Sequence, residues 1–180
     1  MWFFTKKIIG FQLPKLLKQS TVKRQTVNYE KAERIGVLIT LADHEKQNTV
    51  DDFIAHLSAD HKEVQVLCYD KRRARNKIFG YLQFSDRDIS AFGKFKAEHL
   101  IDFVNSRFDY LIHLDTESNQ VLDKILTLSQ AKCRIGCDIP EHHPYYELMF
   151  RAETLYDLCE LIMRYVRIVS ISGEKEAEAS

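Results

Sequence analysis

Glycine is scarce in this 180-residue chain, and its six glycines stand apart at Gly10, Gly36, Gly80, Gly93, Gly136 and Gly173. Neither G-x-G-x-x-G nor G-x-x-x-x-G-K-[ST] can be assembled from them. Nucleotide phosphates need a glycine turn so that backbone N–H groups can approach closely. Without one after the first apolar run, dinucleotide-dependent and P-loop enzymes are both argued against. There is no G-x-S-x-G elbow and no H-E-x-x-H pair either. No run approaches the roughly 20 apolar residues that span a bilayer. The opening MWFFTKKIIGFQLPKLLKQ is broken by Lys6, Lys7 and Lys15 and has no small-residue cleavage site. A secretory leader is therefore not expected, and the cytoplasm is the default location.

Cysteine is present without a pattern. Cys68, Cys133, Cys137 and Cys159 have no pairwise spacing, and three fall in expected strands or a helix. They read as buried, reduced thiols. Cys133 and Cys137 would lie about 13 Å apart on an extended strand, too far to share a zinc ion. Neither a metal nor a cofactor is expected.

What is there is core material. The chain is 45% hydrophobic and 11% aromatic, and a domain of this length buries roughly 70% of its unfolded surface. The formal charge is zero but uneven: residues 1–35 carry eight Lys/Arg against two Glu, a net of +6, which leaves −6 for residues 36–180. A basic head on an acidic body is either a solvated helix or the place where an anionic partner is met.

Leu13, Leu16 and Leu17 repeat at helical spacing, with Pro14 tolerable in a first turn, and the basic stretch Lys18 to Arg34 is expected to be helical in part. Ile35–Leu41 is the first core strand. Asp43 and Asn48 offer helix-start chemistry, and Val50, Phe53, Ile54 and Leu57 form the stripe of the next helix. Val64–Tyr69 is the second strand and Ile78–Phe84 the third. Phe92-Gly93-Lys94 is a loop before a helix carrying Leu100, Ile101 and Val104.

Strand Tyr110–Leu114, helix Asn119–Ala131 and strand Cys133–Cys137 then make the most legible unit. Tyr146–Phe150 is a last short strand, and Leu155–Val169 an amphipathic helix. Strands alternating with helices predict an α/β fold. We expect a single Rossmann-like domain, with a mostly parallel sheet of five to six strands and helices on both faces. The expected organisation is a basic amphipathic segment over 1–34, the Rossmann-like domain over 35–170 and a disordered tail over 171–180.

In such a sheet, ligands favour the carboxyl ends of strands where the strand order reverses. That points to Leu41–Glu45 and Asp115–Ser118. Asp43 and Asp115 are the candidate catalytic carboxylates, and His44, Thr116, Glu117 and Ser118 the candidate ligand-binding groups. The bland alternative is that Asp43, Thr116 and Ser118 cap helices. Lys71 to Lys77 is the densest basic cluster, and Arg72 and Arg73 could hold an anionic ligand by charge. With no interleaved aromatics and a neutral isoelectric point, nucleic acid is not an expected partner.

His113 sits in a core strand and reads as a satisfied buried histidine. His142-His143-Pro144 beside Glu141 is a loop cluster open to adventitious metal, and Tyr145 and Tyr146 read as packing residues. Trp2, Phe3, Phe4, Ile8, Ile9 and Phe11, with lysines between them, suit a membrane interface, the protein's own body or a partner.

Phe108-Asp109-Tyr110-Leu111-Ile112-His113-Leu114, followed by Leu128 to Gly136 (LSQAKCRIG), resembles segments of the amino-terminal half of heptosyltransferase-type glycosyltransferases. That resemblance implies one half of a GT-B architecture. Those enzymes carry a glycine–aspartate turn after the first strand, where this chain has Ala42-Asp43-His44, and they need a second half to bind the nucleotide sugar.

More of the chain, Gly36 to Val169, resembles an uncharacterised bacterial family of small α/β proteins, a domain of unknown function. The residues that carry it are the basic amino-terminal helix, Ile35–Leu38, Phe92-Gly93-Lys94, the Phe108–Ile112 strand and Tyr145 to Met149. This family has no assigned activity, so it transfers no catalytic residue. The expectation is a non-catalytic binding module, cytoplasmic or peripheral to the membrane. It would meet a protein partner, a second copy of itself, or an anionic membrane through residues 1–20. The alternative is an enzyme or small anionic-ligand-binding domain using the two switch-point loops.

Overall fold

In the computed structural model the described residues are 2–40, 44–71 and 80–177. Six strands form one sheet: β1 (Arg34–Thr40), β2 (Glu63–Tyr69), β3 (Tyr81–Phe84), β4 (Tyr110–His113), β5 (Cys133–Cys137) and β6 (Leu148–Phe150). Their order is β3-β2-β1-β4-β5-β6, and every pairing is parallel. The helices are α1 (Trp2–Gln19), α2 (His44–Ala59), α3 (Glu98–Asn105), α4 (Gln120–Leu128) and α5 (Leu155–Ala177), with two short 3-10 segments at Asp86–Asp88 and Pro140–Tyr145.

The strands are apolar along nearly their whole length because both faces are covered. On β1, Ile35, Val37 and Ile39 pack with Val50, Phe53 and Leu57 of α2 and with Leu158 and Ile162 of α5. Leu38 turns the other way, into a second cluster with Leu100 and Phe103 of α3, Val121, Leu122 and Ile125 of α4, and Ile9 and Leu13 of α1. Crossovers between parallel strands are right-handed. β1 is followed by a step toward β2 and β4 by a step toward β5, so α2 and α4 leave adjacent strands onto opposite faces. That divergence opens a crevice above Thr40 and His113.

Several boundaries differ from the sequence expectation. β1 begins at Arg34, paired with Glu63 of β2, and the described part of the third strand is only Tyr81–Phe84. α4 ends at Leu128 because Ser129 turns extended (ψ 142°). α1 starts at Trp2, so Pro14 lies inside it rather than in its first turn. There the proline ring removes the bond to the Gly10 carbonyl. Gly10 itself marks the crossing with α4, where an added Cβ would stand 3.0 Å from the Gln120 amide.

The stretch after α1 is irregular rather than helical, because its polar groups are bound to the body. Arg24 donates to the carbonyls of Ala131 (2.5 Å) and Ser129 (2.9 Å). Burial lowers its guanidinium to about 10. Gln25 N–H donates to the Lys132 carbonyl, and Asp109 accepts from the backbone of Glu33 and Arg34 and from Lys132. α5 continues to Ala177, into the segment expected to be a disordered tail. All four cysteines are buried and outside any disulfide, and burial pushes the thiols of Cys133 and Cys159 up to about 12.

Candidate functional site

β4 carries His113 two residues before Asp115, and in extended chain that spacing points both to one side. Each is almost fully buried, His113 at 0% and Asp115 at 5% exposure. Asp115 Oδ2 accepts from Thr40 N–H (2.9 Å), Thr40 Oγ1 (2.8 Å) and His113 Nε2 (3.1 Å). Its Oδ1 takes a close contact from the Lys46 ammonium, which reaches over the strand end from α2.

Burial alone would raise the Asp115 carboxyl. The hydrogen bond from His113 and the adjacent positive charge of Lys46 outweigh it and hold the group below the usual carboxylate range. The other ring nitrogen, His113 Nδ1, meets the hydroxyl of Tyr146. Burial first, and the nearby Asp123 and Asp115 second, keep that phenol protonated. The ring of His113 thus bridges the Tyr146 hydroxyl on one side and the Asp115 carboxylate on the other.

Lys46, Asp115, His113 and Tyr146 thus form a buried polar string from the crevice into the α4 layer. Asp123 on α4 stands behind it, 3% exposed, its carboxyl pushed up to about 7 by burial. Gly136 on β5 makes the string sterically possible: a Cβ there would fall 2.4 Å from Cζ of the Tyr146 ring.

Above the string lies a cavity of about 270 Å³, lined by Glu45, Lys46 and Thr49 of α2, Leu114 and Thr116 after β4, and Thr154, Leu155 and Tyr156 at the start of α5. Larger concavities lie elsewhere. One of about 540 Å³ is at the opposite, amino end of the sheet beside Tyr29, Asp60 and Arg167. Its polar groups bind one another: the Tyr29 hydroxyl and Arg167 both donate to Asp60, and Lys62 caps the Tyr29 and Ala32 carbonyls.

The residues expected at the site are thus dispersed. Asp115 is buried under Lys46. Thr116 lines the cavity, whereas Glu117 and Ser118 are exposed and outside it. His44 is the exposed first residue of α2. Asp43, Arg72 and Arg73 fall outside the described residues. Neither Thr116 nor Ser118 caps α4; that is done by the Asn119 side chain, which accepts from Val121 N–H. Lys46 and Tyr146 joined the site without being singled out for it. A signal existed for both: a histidine in an otherwise apolar strand needs polar partners, and a lysine one turn into α2 can reach the adjacent strand end.

Asp115 binds four donors, three of them on Oδ2, and is 5% exposed, so its carboxylate is engaged by the scaffold. Among the described residues, the polar groups that line the crevice are the Lys46 ammonium, Glu45, Tyr156 and the hydroxyls of Thr49, Thr116 and Thr154.

The family of unknown function DUF6913 matches residues 5–169, and the chain belongs to it. No curated protein matches this sequence.

Proposed function

We propose that this member of a family of unknown function is a cytoplasmic, non-catalytic docking module, and that its docking face is the outward side of α1. One observation carries the reading. α1 fixes its inner side on α4 through Ile9 and Leu13, 0% and 4% exposed, while Phe4 and Phe11 on the outer side stand 70% and 90% exposed. Lys7, Lys15 and Lys18 lie exposed in the same stripe, and the first acidic residue of the chain is Glu30. A face of this kind fits an anionic surface by charge and gains by covering its rings. The four donors bound to Asp115 support the non-catalytic half of the reading, because they engage the strand-end carboxylate in the scaffold.

The test is fractionation of cells expressing the full chain. The parent chain is expected to sediment with a large assembly, and a Lys7→Glu/Lys15→Glu/Lys18→Glu variant of equal thermal midpoint to stay in the supernatant. Identical partition of the two would sink the reading.

One observation favours a second reading. The strand-end cavity gathers Lys46, Thr49, Thr116 and Thr154, which suits a small anion held by an ammonium and hydroxyls. Millimolar inorganic phosphate would then raise the thermal midpoint of the parent chain and not that of Thr116→Leu, which removes a hydroxyl from the cavity and narrows it without adding a charge. Equal behaviour of the two chains removes this second reading.

A further inference from the structure

We propose that the anionic surface met by α1 is a lipid bilayer, and that the loop from Phe92 to Lys96 is a second contact with it. This rests on the docking role of α1 and names its partner. No helix among the described residues is long and apolar enough to cross a membrane, so the contact is one of surface immersion.

α1 is fixed in its orientation on the body. An ordinary interfacial helix lays its apolar side into the lipid. Here that side is already occupied by α4, and Gly10 sets the helix close at the crossing. The helix cannot roll, and it presents Phe4 and Phe11 outward among lysines. Protein interfaces gather their aromatic anchors into a packed centre with complementary pockets. A bilayer needs no such complementarity: exposed rings enter the acyl boundary while lysine stems lie along it with their ammonium groups among the lipid phosphates.

The Phe92–Lys96 loop is attached to this helix. Phe92 is 73% exposed, and its carbonyl accepts from the Gln12 side chain of α1 (3.2 Å), which in turn accepts from the buried Lys124 of α4 (2.8 Å). Gly93 takes φ +78° and lies so near α1 that a Cβ would meet Ile9 Cγ1 at 3.0 Å. The left-handed turn and this close approach together require glycine. They hold an exposed ring and the exposed Lys94 and Lys96 on the flank of a helix with the same composition. Two elements far apart in sequence, joined at Gln12 and Gly93, thus both expose phenylalanine and lysine.

Co-sedimentation of the full chain with vesicles tests this. Phosphatidylcholine vesicles with a quarter phosphatidylglycerol are expected to bind the parent chain, and pure phosphatidylcholine vesicles to bind it at least tenfold more weakly. Salt at 0.5 M, where the screening length shrinks to a few ångströms, should release most of it. Phe11→Ser and Phe92→Ser should each lower the partition coefficient about five- to tenfold, with no change in thermal midpoint because both rings face solvent.

Equal partition on the two vesicle types overturns the bilayer assignment. If the charge-reversal variant nevertheless leaves the sedimenting fraction of cells, the docking face stands and its partner is a protein. If Phe11→Ser weakens vesicle binding and Phe92→Ser does not, the loop is excluded from the contact.

Discussion

The strand-end crevice and the outer face of α1 invert each other. At the crevice, polar groups that ordinarily do chemistry point inward and bind one another; on α1, rings that ordinarily fill a core point outward. In the first region Asp115, His113 and Tyr146 are nearly or wholly buried, and their bonds hold β1, β4, α2 and the α4 layer together. In the second, Phe11 is almost wholly exposed on a helix whose other side is locked to the body. A residue's chemical type therefore says less about its task here than the direction in which the fold turns it. Substitution in the first region should cost folding and leave docking intact; substitution in the second should do the reverse.

The largest effect is expected at Asp115. Asp115→Ala leaves Lys46, His113 and the Thr40 N–H without their acceptor, and breaking a buried ion pair in this way costs about 3–5 kcal/mol. Urea unfolding measures it, and a loss under about 1 kcal/mol would mean that the string is not what holds the strand ends.

Asp123 comes next, with a dependence on pH. Its carboxyl is raised to about 7 in the folded chain, against about 3.9 when unfolded. The unfolded chain therefore releases this proton first. The stability the group contributes is complete below about pH 4 and is lost as pH rises through about 7. Asp115 runs the other way: its folded value is depressed, so its contribution is present at neutral pH and lost on acidification. Asp123→Asn should gain on the parent chain by about 2–3 kcal/mol between pH 5 and pH 8. Parallel stability curves across that range would refute the placement of a buried acid there.

Gly136→Ala should cost about 1–3 kcal/mol, because the added methyl displaces the Tyr146 ring from His113. A thermal melt reads this directly, and Tyr146→Phe combined with it should show non-additive loss, since both disturb one contact. The smallest stability change belongs to the outer face. Phe11→Ser should move unfolding by no more than about 0.5 kcal/mol while weakening docking severalfold. A large loss of stability there would mean that α1 lies differently on the body.

The fold was largely open to sequence reading. Continuous apolar runs alternating with helical stripes indicate a parallel sheet covered on both faces, and the crevice falls where the divergence of β1 and β4 puts it. What the pattern could not show is which polar residues at the crevice are consumed. The burial of Asp115 depends on Lys46, a residue 69 positions away in sequence, and that of Tyr146 on the absence of a side chain at Gly136. Both are long-range packing facts with no local periodicity. The irregular stretch after α1 escaped for a similar reason: Arg24 and Asp109 fix it by single bonds to distant carbonyl and N–H groups, against its helical composition. On α1 the apolar residues were visible, but their division into an inner and an outer set follows only from the position of α4.

One titration tests the central claim most directly. The full chain, Asp115→Asn and the double variant Phe11→Ser/Phe92→Ser are each measured against phosphatidylglycerol-containing vesicles, well below their unfolding temperatures. The account predicts equal binding for the parent chain and Asp115→Asn, with a lower thermal midpoint for the latter, and at least tenfold weaker binding for the double variant. Loss of binding in folded Asp115→Asn, with binding retained in the double variant, would contradict it.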